Sequence, residues 1–383
     1  MANATNARLT EAHKPRVAVL ILNFNGIDWL KTCVPSVMRS TYPNFTVYVI
    51  DNGSTDGSQN FVRTKFPAVR LLAFQTNLGF VEAYNHAVAQ VDAEYVLFLN
   101  NDTSILTRNW IELLVEHLEM NSDVAAVGCK LVTMKNPRVL DSVGVMGIKY
   151  WRGFVDIGKY ETDRDQYDNP PITPFSACGA AMLVRKNAFD LVGGFDSKFF
   201  AYVEDVDLSW RLRLRSFKLV YEPAAKVAHY YSGSRETNGL DTEKLYLSHR
   251  NVLRAILKNC GSSLSWALRN YFLYTLLLTL GFVPLEPRKT AALVKGILWN
   301  LRNFRSTFAS RLKVQGTRGV QEEEILQEMF PKLRRYQPEE HTQLRKLLDI
   351  LFESGSGNLL ADDSFTHLSA LIPRSTHARE VIG

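Results

Sequence analysis

The sequence predicts an α/β protein with a mostly parallel, doubly wound sheet, followed by a helical C-terminal region. Up to Asn100, short apolar runs alternate with amphipathic helix patterns, as in successive βαβ units. The first run, Val17–Asn23, is almost continuously apolar, which is typical of a strand covered on both faces. After the polar, Gly- and Ser-containing stretch Ser232–Thr242, the periodicity becomes helical.

The first half contains four predicted strands joined by three predicted helices. The strands are Val17–Asn23, Phe45–Asp51, Val69–Phe74 and Tyr95–Asn100. The helices between them are Ile27–Arg39, Asp56–Lys65 and Phe80–Gln90. Because each strand is followed by a helix-length segment before the next strand, neighbouring strands are expected to run parallel.

The middle of the chain, Asn121–Tyr231, is less regular. Strands are predicted at Ala125–Cys129 and Ala180–Val184, and the polar, Pro-containing segment Tyr160–Pro174 is predicted to be a loop over the sheet edge. Glu204–Arg215 is predicted to be a helix because acidic residues occupy its first turn and arginines its last, which matches the helix dipole.

The C-terminal third contains Leu245–Lys258, which is amphipathic and basic, and Trp266–Leu285. Within the latter, Tyr271–Leu285 is an uncharged run of fifteen residues, shorter than the roughly 20 that span a bilayer. Two interpretations are therefore favoured over a true span: a helical-hairpin core or dimer contact, and a segment lying in the membrane interface. Two amphipathic helices, Glu322–Phe330 and Glu339–Glu353, are predicted near the end.

These patterns divide the chain into four parts. We predict a disordered N-terminus (1–15), an α/β domain (16–240), a basic apolar helical region that associates with a membrane or dimerises (241–315), and C-terminal helices with a tail (316–383).

Charge and cysteine content indicate what kind of partner the protein binds and in which compartment it is expected. Between Arg250 and Arg318 there are twelve Lys and Arg residues and one acid, Glu286, which indicates an anionic partner. The apolar residues interleaved with these cations favour a membrane surface over nucleic acid. The polar N-terminus lacks the apolar core of a signal peptide, and the four cysteines fit neither a zinc site nor a disulfide framework. A cytoplasmic setting is therefore expected.

Polar residues follow several of the predicted strands. Asn23-Phe24-Asn25-Gly26, Asp51-Asn52-Gly53-Ser54 and Asn100-Asn101-Asp102 all stand at strand ends. In open α/β sheets the carboxyl ends of the strands are where ligands bind. One Asp with amide neighbours is a poor cage for a divalent ion, but it suits a metal that takes further oxygens from water and a diphosphate.

Further candidates lie around these strand ends. Asp51 could accept a hydrogen bond from a pyrimidine N–H or a ribose hydroxyl, although an Asx turn explains part of this segment. Asn77 and Gly79 form a second close-approach turn, and Asn85 lies on the helix that follows. Neither a Gly-x-Gly-x-x-Gly nor a P-loop sequence is present, so diphosphate charge must be met by a metal or by basic side chains.

Three acids begin the helix at Glu204. They could simply favour the helix start, but one carboxylate beside a diphosphate leaving group could also act as a general base, an effect of about 10²–10⁴-fold in rate. We favour Asp205 for this role, with Glu204 second. Asp207 points to another side of the helix and is expected either to cap the helix or to pair with Arg211. His229, in an apolar run, is either structural or an imidazole ligand to the metal.

In this order, these motifs resemble the family 2 glycosyltransferases, and most closely their rhamnosyltransferase-like branch. The resemblance covers roughly residues 15–260 and includes Gly193-Gly194-Phe195-Asp196, Glu204-Asp205-Val206-Asp207 and Arg250-Asn251. It implies a GT-A fold, a nucleotide-diphosphate sugar donor, Mg²⁺ or Mn²⁺, and inversion at the anomeric carbon. Asn100 departs from the Asp of many relatives, which puts metal dependence in question.

The resemblance also implies residue roles. Asp102 and His229 would hold the metal, Asp205 would be the catalytic base with Glu204 beside it, and Asp51 would touch the nucleoside base. Arg211 would sit behind the catalytic carboxylate. The residues assigned to donor binding are Asn23, Asn25, Asp51, Asn77, Gly79, Asn85, Asn101 and Arg211. The Gln-x-x-Arg-Trp motif of processive synthases is absent, which indicates single-sugar addition.

The predicted function is therefore transfer of one sugar, of the dTDP-rhamnose or UDP-hexose class, to a hydroxyl of a glycan or lipid-linked acceptor in cell-surface polysaccharide synthesis. The expected location is peripheral, on the inner face of the cell membrane, with a possible homodimer and no nucleic-acid partner. Two alternatives are a sugar-1-phosphate nucleotidylyltransferase and a non-catalytic, membrane-attached sugar-binding scaffold.

Overall fold

A computed structural model describes residues 14–148, 153–230, 242–282 and 286–330. The strands are β1 (Val17–Asn23), β2 (Phe45–Asn52), β3 (Arg70–Phe74), β4 (Tyr95–Asn100), β5 (Thr103–Ile105), β6 (Val124–Thr133), β7 (Leu140–Ser142), β8 (Val145–Ile148), β9 (Gly153–Asp156), β10 (Ala181–Arg185) and β11 (Lys218–His229). The helices are α1 (Ile27–Met38), α2 (Ser58–Lys65), α3 (Gly79–Val88), α4 (Trp110–Met120), α5 (Lys186–Leu191), α6 (Glu204–Leu214), α7 (Thr242–Asn259), α8 (Leu264–Phe282), α9 (Pro287–Arg302), α10 (Phe304–Gly316) and α11 (Glu322–Met329).

The central sheet combines a parallel half with a mixed half. Its strand order is β3-β2-β1-β4-β10-β6-β11-β5, and β7 pairs with β6 outside this path. β1 to β4 are parallel, β10 runs antiparallel to β4 and β6, and β11 is parallel to β6. β8 and β9 form a separate antiparallel pair. The predicted α/β class with a mostly parallel sheet is confirmed.

In the parallel half, the sequence predictions agree closely with the structure. The bounds of β1 and β4 are as predicted, and the other strands and helices there differ by at most two residues at either end. In the mixed half, the strand predicted at Ala125–Cys129 is half of the ten-residue β6, and helix α4 was not predicted. The predicted helix Glu339–Glu353 and the first thirteen residues lie outside the described part.

Two hydrophobic clusters cover the two faces of the sheet. Along β1, Ala18 and Leu20 face a cluster that includes residues of α3, α6 and α7, whereas Val19 and Ile21 face a cluster that includes α1 and α4. This alternation follows from the two-residue period of a strand. α7 therefore shares a core with the sheet, although it follows the predicted domain boundary at residue 240, and that boundary stays a prediction.

The C-terminal helices pack around α7. α8, α9 and α10 all contact α7, and α9 also contacts α8 and α10. Within the described ranges, no helix combines the length and apolar character needed to cross a bilayer.

Candidate active site

The carboxyl ends of β1 and β2 carry a network of polar side chains. Asn23 is directly opposite Asp51 in the strand register and donates from Nδ2 to Asp51 Oδ2 over 3.2 Å. The other oxygen of Asp51 accepts from the Ser54 backbone N–H at 3.0 Å and from Gln59 Nε2 at 2.9 Å. Asn101 Nδ2 donates to Asn23 Oδ1 over 2.7 Å, which links β4 to the same network.

Asp51 is completely enclosed in this network. A contact between its carboxylate and a nucleoside would therefore require the surrounding side chains to move. The donor-binding role of Asp51 stays a prediction.

Asn25 and Gly26 shape the turn after β1. Asn25 has a φ of 48° and accepts from the Thr55 backbone N–H at its Oδ1, 2.8 Å away. A Cβ on Gly26 would come within 2.2 Å of Asn101 Nδ2, so only glycine allows the Asn23–Asn101 pair to form here.

A second turn, before α3, is fixed in the same way. Asn77 Oδ1 accepts from Asn52 Nδ2 at 2.9 Å and from the Gly79 backbone N–H at 2.8 Å. Gly79 has a φ of 84°, and a Cβ there would collide with Phe200. The Phe80 backbone N–H donates to the Phe200 carbonyl over 2.8 Å, so the loop before α6 rests on the start of α3.

Two residues assigned to donor binding have partners within the protein. Asn85 exchanges hydrogen bonds with the backbone of Phe195, at 2.9 and 3.0 Å. Arg211 is buried, donates to Asp207 and to the Val192 carbonyl, and so forms the ion pair expected of Asp207. Direct contact of Asn85 or Arg211 with a donor stays a prediction.

The structure brings together the two residues predicted to bind metal. Asp102 follows β4, and His229 ends β11, whose antiparallel partner β5 places His229 opposite Thr103. His229 Nε2 lies 3.3 Å from Asp102 Oδ1. Its other ring nitrogen, Nδ1, lies 2.7 Å from Asp141 Oδ2. A ring nitrogen oriented by a second carboxylate is the usual arrangement behind a metal-ligating histidine.

The charges around His229 are strongly coupled. Burial lowers the pKa of His229, but hydrogen bonds and charge interactions with Asp102 and Asp141 outweigh it and raise this pKa to about 9. Asp141 is also paired with Lys159 Nζ at 3.0 Å. In its neutral form, the His229 imidazole lies beside the Asp102 carboxylate at one edge of the sheet, and the two fit a divalent cation whose other ligands come from water and a diphosphate.

Asp205 is held at the start of α6. Its Oδ2 accepts from the Gly179 backbone N–H and its Oδ1 from the Val206 backbone N–H, both at 2.8 Å. Burial raises the pKa of Asp205 to about 6, with a further contribution from the charge of Asp156, although the backbone donors oppose the shift. A carboxylate with this pKa is ionised at neutral pH and still accepts a proton readily.

Glu204, next to Asp205, is also buried. Its Oε2 has no hydrogen-bond partner among the residues that the structure describes. Burial and the neighbouring Asp205 raise the pKa of Glu204 to about 8. At neutral pH Glu204 is therefore mostly protonated, which makes Asp205 the better candidate for a base.

Backbone contacts join Asp205 to the end of β4. Asp205 is bonded to Gly179, and the next residue, Ala180, accepts at its carbonyl from the Asn100 backbone N–H at 3.0 Å. Asn100 is two residues before Asp102. Burial raises the pKa of Cys178, which lies next to Gly179, and the charges of Asp156, Asp205 and Asp141 add to this shift. The Asp102–His229 pair and Asp205 are thus at the same edge of the sheet.

The turn that leads into α6 is strained. Tyr202 and Val203 have φ angles of 71° and 69°. Non-glycine residues rarely adopt positive φ, and a β-branched residue such as valine does so least readily. This conformation immediately precedes Glu204 and Asp205.

A second acidic cluster lies elsewhere. Asp163, Asp165 and Asp168 are the one group of three potential metal ligands found close together among the described residues. Lys130 is buried among them and donates to Asp163 at 3.0 Å and to Asp168 at 2.6 Å. Because its ammonium group already compensates their charge, we do not assign a metal to this cluster.

Three residues at the site were not anticipated from the sequence: Gln59, Asp141 and Gly179. Asp141 lies 88 positions before His229, and nothing local marks it except its place in the apolar run Val139-Leu140-Asp141-Ser142-Val143. An isolated acid in an apolar run is a signal that could have singled it out, because buried carboxylates are normally paired. Gly179 contributes its backbone N–H, which carries no side-chain signal at all.

The sheet order, with polar side chains at the carboxyl edge of the parallel strands, is that of a GT-A type of fold. Residues 18–190 match the family model described as Glycosyl transferase family 2. This match confirms, for residues 18–190, the resemblance that the sequence motifs indicated.

The chain is similar to two curated bacterial proteins. It is 28% identical over 283 residues to an N-acetylglucosaminyl-diphospho-decaprenol L-rhamnosyltransferase of Mycobacterium tuberculosis, a match covering 66% of this chain and 88% of that protein. It is 27% identical over 253 residues to the O-antigen biosynthesis protein RfbC of Myxococcus xanthus, which covers 61% of this chain but only 19% of that much longer protein.

Among solved structures, GalNAc-T7 with UDP, GalNAc and Mn²⁺ shares the fold, with a TM-score of 0.54 and 13% sequence identity. The match covers 77% of this chain and 58% of that one.

Proposed function

We propose that the protein is an inverting glycosyltransferase that moves one sugar from a nucleotide-diphosphate sugar to an acceptor hydroxyl. The observation that carries this proposal is the shared location of two groups at one sheet edge. The Asp102–His229 pair suits the diphosphate end of a donor, and Asp205, joined to it through Gly179, Ala180 and Asn100, suits an acceptor hydroxyl.

The proposed reaction is one in-line displacement. The acceptor oxygen forms a bond to the anomeric carbon while the bond from that carbon to the diphosphate oxygen breaks. The acceptor proton passes to Asp205 Oδ1 or Oδ2, and the nucleoside diphosphate leaves with the bonding electron pair. The backbone N–H groups of Gly179 and Val206 fix the orientation of the base before it accepts the proton.

Asp102 and His229 would hold Mg²⁺ or Mn²⁺, with Asp141 orienting the imidazole. When bound, the ion would neutralise charge on the departing diphosphate. GalNAc-T7, which has a similar fold, was solved with Mn²⁺ and UDP, which supports a divalent ion in this fold. The choice between the two metals is left open.

For the donor we propose the dTDP-rhamnose or UDP-hexose class, because curated relatives include a rhamnosyltransferase. For the acceptor we propose a glycan or lipid-linked hydroxyl in cell-surface polysaccharide synthesis. The mycobacterial relative is named for a diphospho-decaprenol acceptor, and RfbC for O-antigen biosynthesis. An acceptor of this kind would place the protein on the inner face of the cell membrane as a peripheral protein.

The proposal is tested with purified protein, dTDP-rhamnose or UDP-glucose, and Mn²⁺ present or removed. Asp205→Asn should lower transfer or donor hydrolysis by about 10²–10⁴-fold, because the base is lost. Its donor affinity, measured by calorimetry, should stay near that of wild type. Asp102→Ala should weaken donor binding in the presence of metal.

Asp190→Asn is a matched control, since Asp190 is exposed and lies outside the site. Turnover by Asp205→Asn equal to that of this control would refute the base assignment. Consumption of pyrophosphate and release of a nucleoside triphosphate would instead indicate a nucleotidylyltransferase, and donor binding without turnover would indicate a scaffold.

A further inference from the structure

Helices α8, α9 and α10 carry large apolar side chains that are 44–65% exposed in the described part of the chain. On α8, Phe272, Leu276 and Leu280 are four residues apart and lie on one face, and Leu280 is 61% exposed. Spacing of this kind normally marks the face of a helix that is buried against a partner.

α10 repeats the pattern. Phe304, Phe308 and Leu312 follow the same four-residue spacing, and the two phenylalanine rings stack with centroids 6.0 Å apart. Between α8 and α10 along the chain, α9 turns its buried side, including Gly296 and Asn300, toward α7 and exposes Val294, Leu298 and Leu301 on the other side. We refer to these exposed side chains together as the α8–α10 surface.

Cations accompany this apolar surface. Of the twelve basic residues between Arg250 and Arg318, four are buried, so the sequence count overstates the surface charge. Six are exposed and form no ion pair with any residue that the structure describes: Arg269, Arg288, Lys295, Arg302, Arg305 and Lys313. The sequence from the start of α8 to the end of α10 contains one acidic residue, Glu286, and it pairs with Lys289.

We propose that the α8–α10 surface docks onto a bilayer that contains anionic phospholipid. Exposed aromatic and aliphatic side chains beside unpaired cations are what binding to an anionic membrane surface requires. A second copy of the chain fits less well, because a symmetric contact would bring the same six cations of each copy together. The proposed function supplies only the reason for membrane binding, namely access to a lipid-linked acceptor, and the inference rests on it in that respect alone.

Sedimentation with vesicles tests this without donor or acceptor, so its outcome is independent of the glycosyltransferase proposal. Wild-type protein should bind vesicles of phosphatidylcholine with phosphatidylglycerol and bind pure phosphatidylcholine much less. Arg302→Glu with Arg305→Glu, and separately Phe304→Ser with Phe308→Ser, should each lower the partition coefficient at least about tenfold.

Two matched controls use exposed residues elsewhere. Arg63→Glu with Lys65→Glu reverses two exposed cations on α2, and Met120→Ser removes an exposed apolar side chain at the end of α4. Both should bind vesicles like wild type. Equal loss in the controls, or no binding by wild type, would overturn the proposal. A wild-type dimer in light scattering that Phe304→Ser with Phe308→Ser converts to monomer, without vesicle binding, would assign the surface to a second copy.

A different observation assigns a role to Asn251 on α7. Asn251 is fully buried, and its Nδ2 donates to the carbonyl oxygens of Ala201 and Tyr202, at 2.9 and 2.8 Å. With the bond from Phe80 to the Phe200 carbonyl, three successive carbonyls before α6 are thereby fixed.

These bonds act on the strained turn that precedes the proposed base. Tyr202 and Val203 would relax from positive φ if the carbonyls were released, and Val203 is the N-cap residue of α6. Relaxation there would turn Asp205 away from Gly179. We infer that Asn251 is a positioning residue for Asp205, an inference that rests on the proposed function.

Asn300 provides a closely matched control. It is also a buried asparagine, and its Nδ2 donates to two carbonyls, of Arg250 and Gly296, but it does not touch the turn. Asn251→Ala should lower kcat for dTDP-rhamnose or UDP-glucose turnover at least about tenfold with little change in donor KM. Asn300→Ala should lower thermal stability comparably and leave kcat near wild type.

A rescue variant separates positioning from general destabilisation. Val203→Gly in the Asn251→Ala background should recover part of kcat, because glycine adopts positive φ without a Cβ clash. Hydrogen exchange at the Asp207 amide, which bonds to the Val203 carbonyl, should speed up in Asn251→Ala and not in Asn300→Ala. This readout needs no turnover, so it stands even if the proposed activity fails. Should Asn251→Ala not fold, Asn251→Ser serves in its place, and equal exchange in the two variants would overturn the inference.

Discussion

Helix α6 carries three acids in its first turn, and their surroundings differ sharply. Glu204 and Asp205 face few compensating charges, and the pKa of each is raised. Asp207 is buried as well, but Lys258 Nζ lies 2.8 Å from its carboxylate, with Arg211 and Asn259 close by. Burial raises the pKa of Asp207, but the charges of Lys258 and Arg211 outweigh it and hold this pKa below its usual range.

The same cations serve a second carboxylate. Lys258 lies 2.6 Å from Asp196, and Arg254 contacts Asp196 through Nε and Nη2 at 3.0 Å. The pKa of Asp196 is strongly lowered: burial opposes this shift, but Lys258 and Arg254 outweigh it. Helix α7 therefore supplies cations to Asp196 and Asp207. It supplies none to Glu204 and Asp205, the proposed catalytic acids. Within one helical turn, the partners separate a carboxylate held in buried ion pairs from the two proposed to be catalytic.

The largest expected effect comes from removing the shared cation. Lys258→Met should lower the free energy of unfolding by about 3–5 kcal/mol, because Asp196 and Asp207 would remain buried with less compensation. Urea unfolding followed by circular dichroism measures this. Lys218→Met, which breaks an exposed pair with Asp123, should change stability little. An equally small effect for Lys258→Met would mean that the buried network contributes no more than a surface pair.

A smaller effect on the free energy of unfolding is expected for Glu204, one of the two acids of α6 whose pKa is raised. In the folded protein the pKa of Glu204 is raised from its usual 4.5 to about 8, so folding favours its protonated form. The associated stability is present below pH 4.5 and is lost as pH rises toward 8. Glu204→Gln should therefore stabilise the protein relative to wild type by up to about 4 kcal/mol more at pH 9 than at pH 5.

Denaturant unfolding at the two pH values measures this difference. Glu116→Gln, on the exposed side of α4, is the control and should show no such difference. A constant offset between wild type and Glu204→Gln across the range would contradict a raised pKa for Glu204.

The smallest effect concerns the proposed base itself. Because Asp205 must be ionised to accept a proton, kcat/KM should rise with pH through about 6. Asp156 contributes to the raised pKa, so Asp156→Asn should move this limb to lower pH by a fraction of a unit. Initial rates across pH measure the shift, and movement to higher pH would be inconsistent with the assigned interaction.

The parallel half of the fold followed from local pattern, and the mixed half did not. β1 and β4 are buried on both faces, so their apolar runs mark their ends clearly. β11 is interrupted by Glu222-Pro223-Ala224, where its pairing with β6 shifts register, so its alternation is broken and this strand was not predicted. A tertiary register shift leaves no periodic signal in the sequence.

The site shows the same division. Asp102 and His229 lie at strand ends, which dictate their place at one edge of the sheet, and the motif order predicted Asp205, at the start of α6, beside them. Asp141 and Gly179 could not be predicted, since their roles depend on contacts across the fold. Arg254 and Lys258 were counted as surface charge for the same reason: composition does not distinguish a solvated cation from one enclosed by two carboxylates.

The position of α7 bears on how the protein can be dissected. A chain ending at residue 240 would retain every proposed catalytic side chain but would lose Arg254 and Lys258. The buried carboxylates of Asp196 and Asp207 would then be without these cationic partners. The minimal autonomous unit therefore extends at least through Asn259, and fusions or deletions intended to isolate the catalytic half should be cut beyond that point.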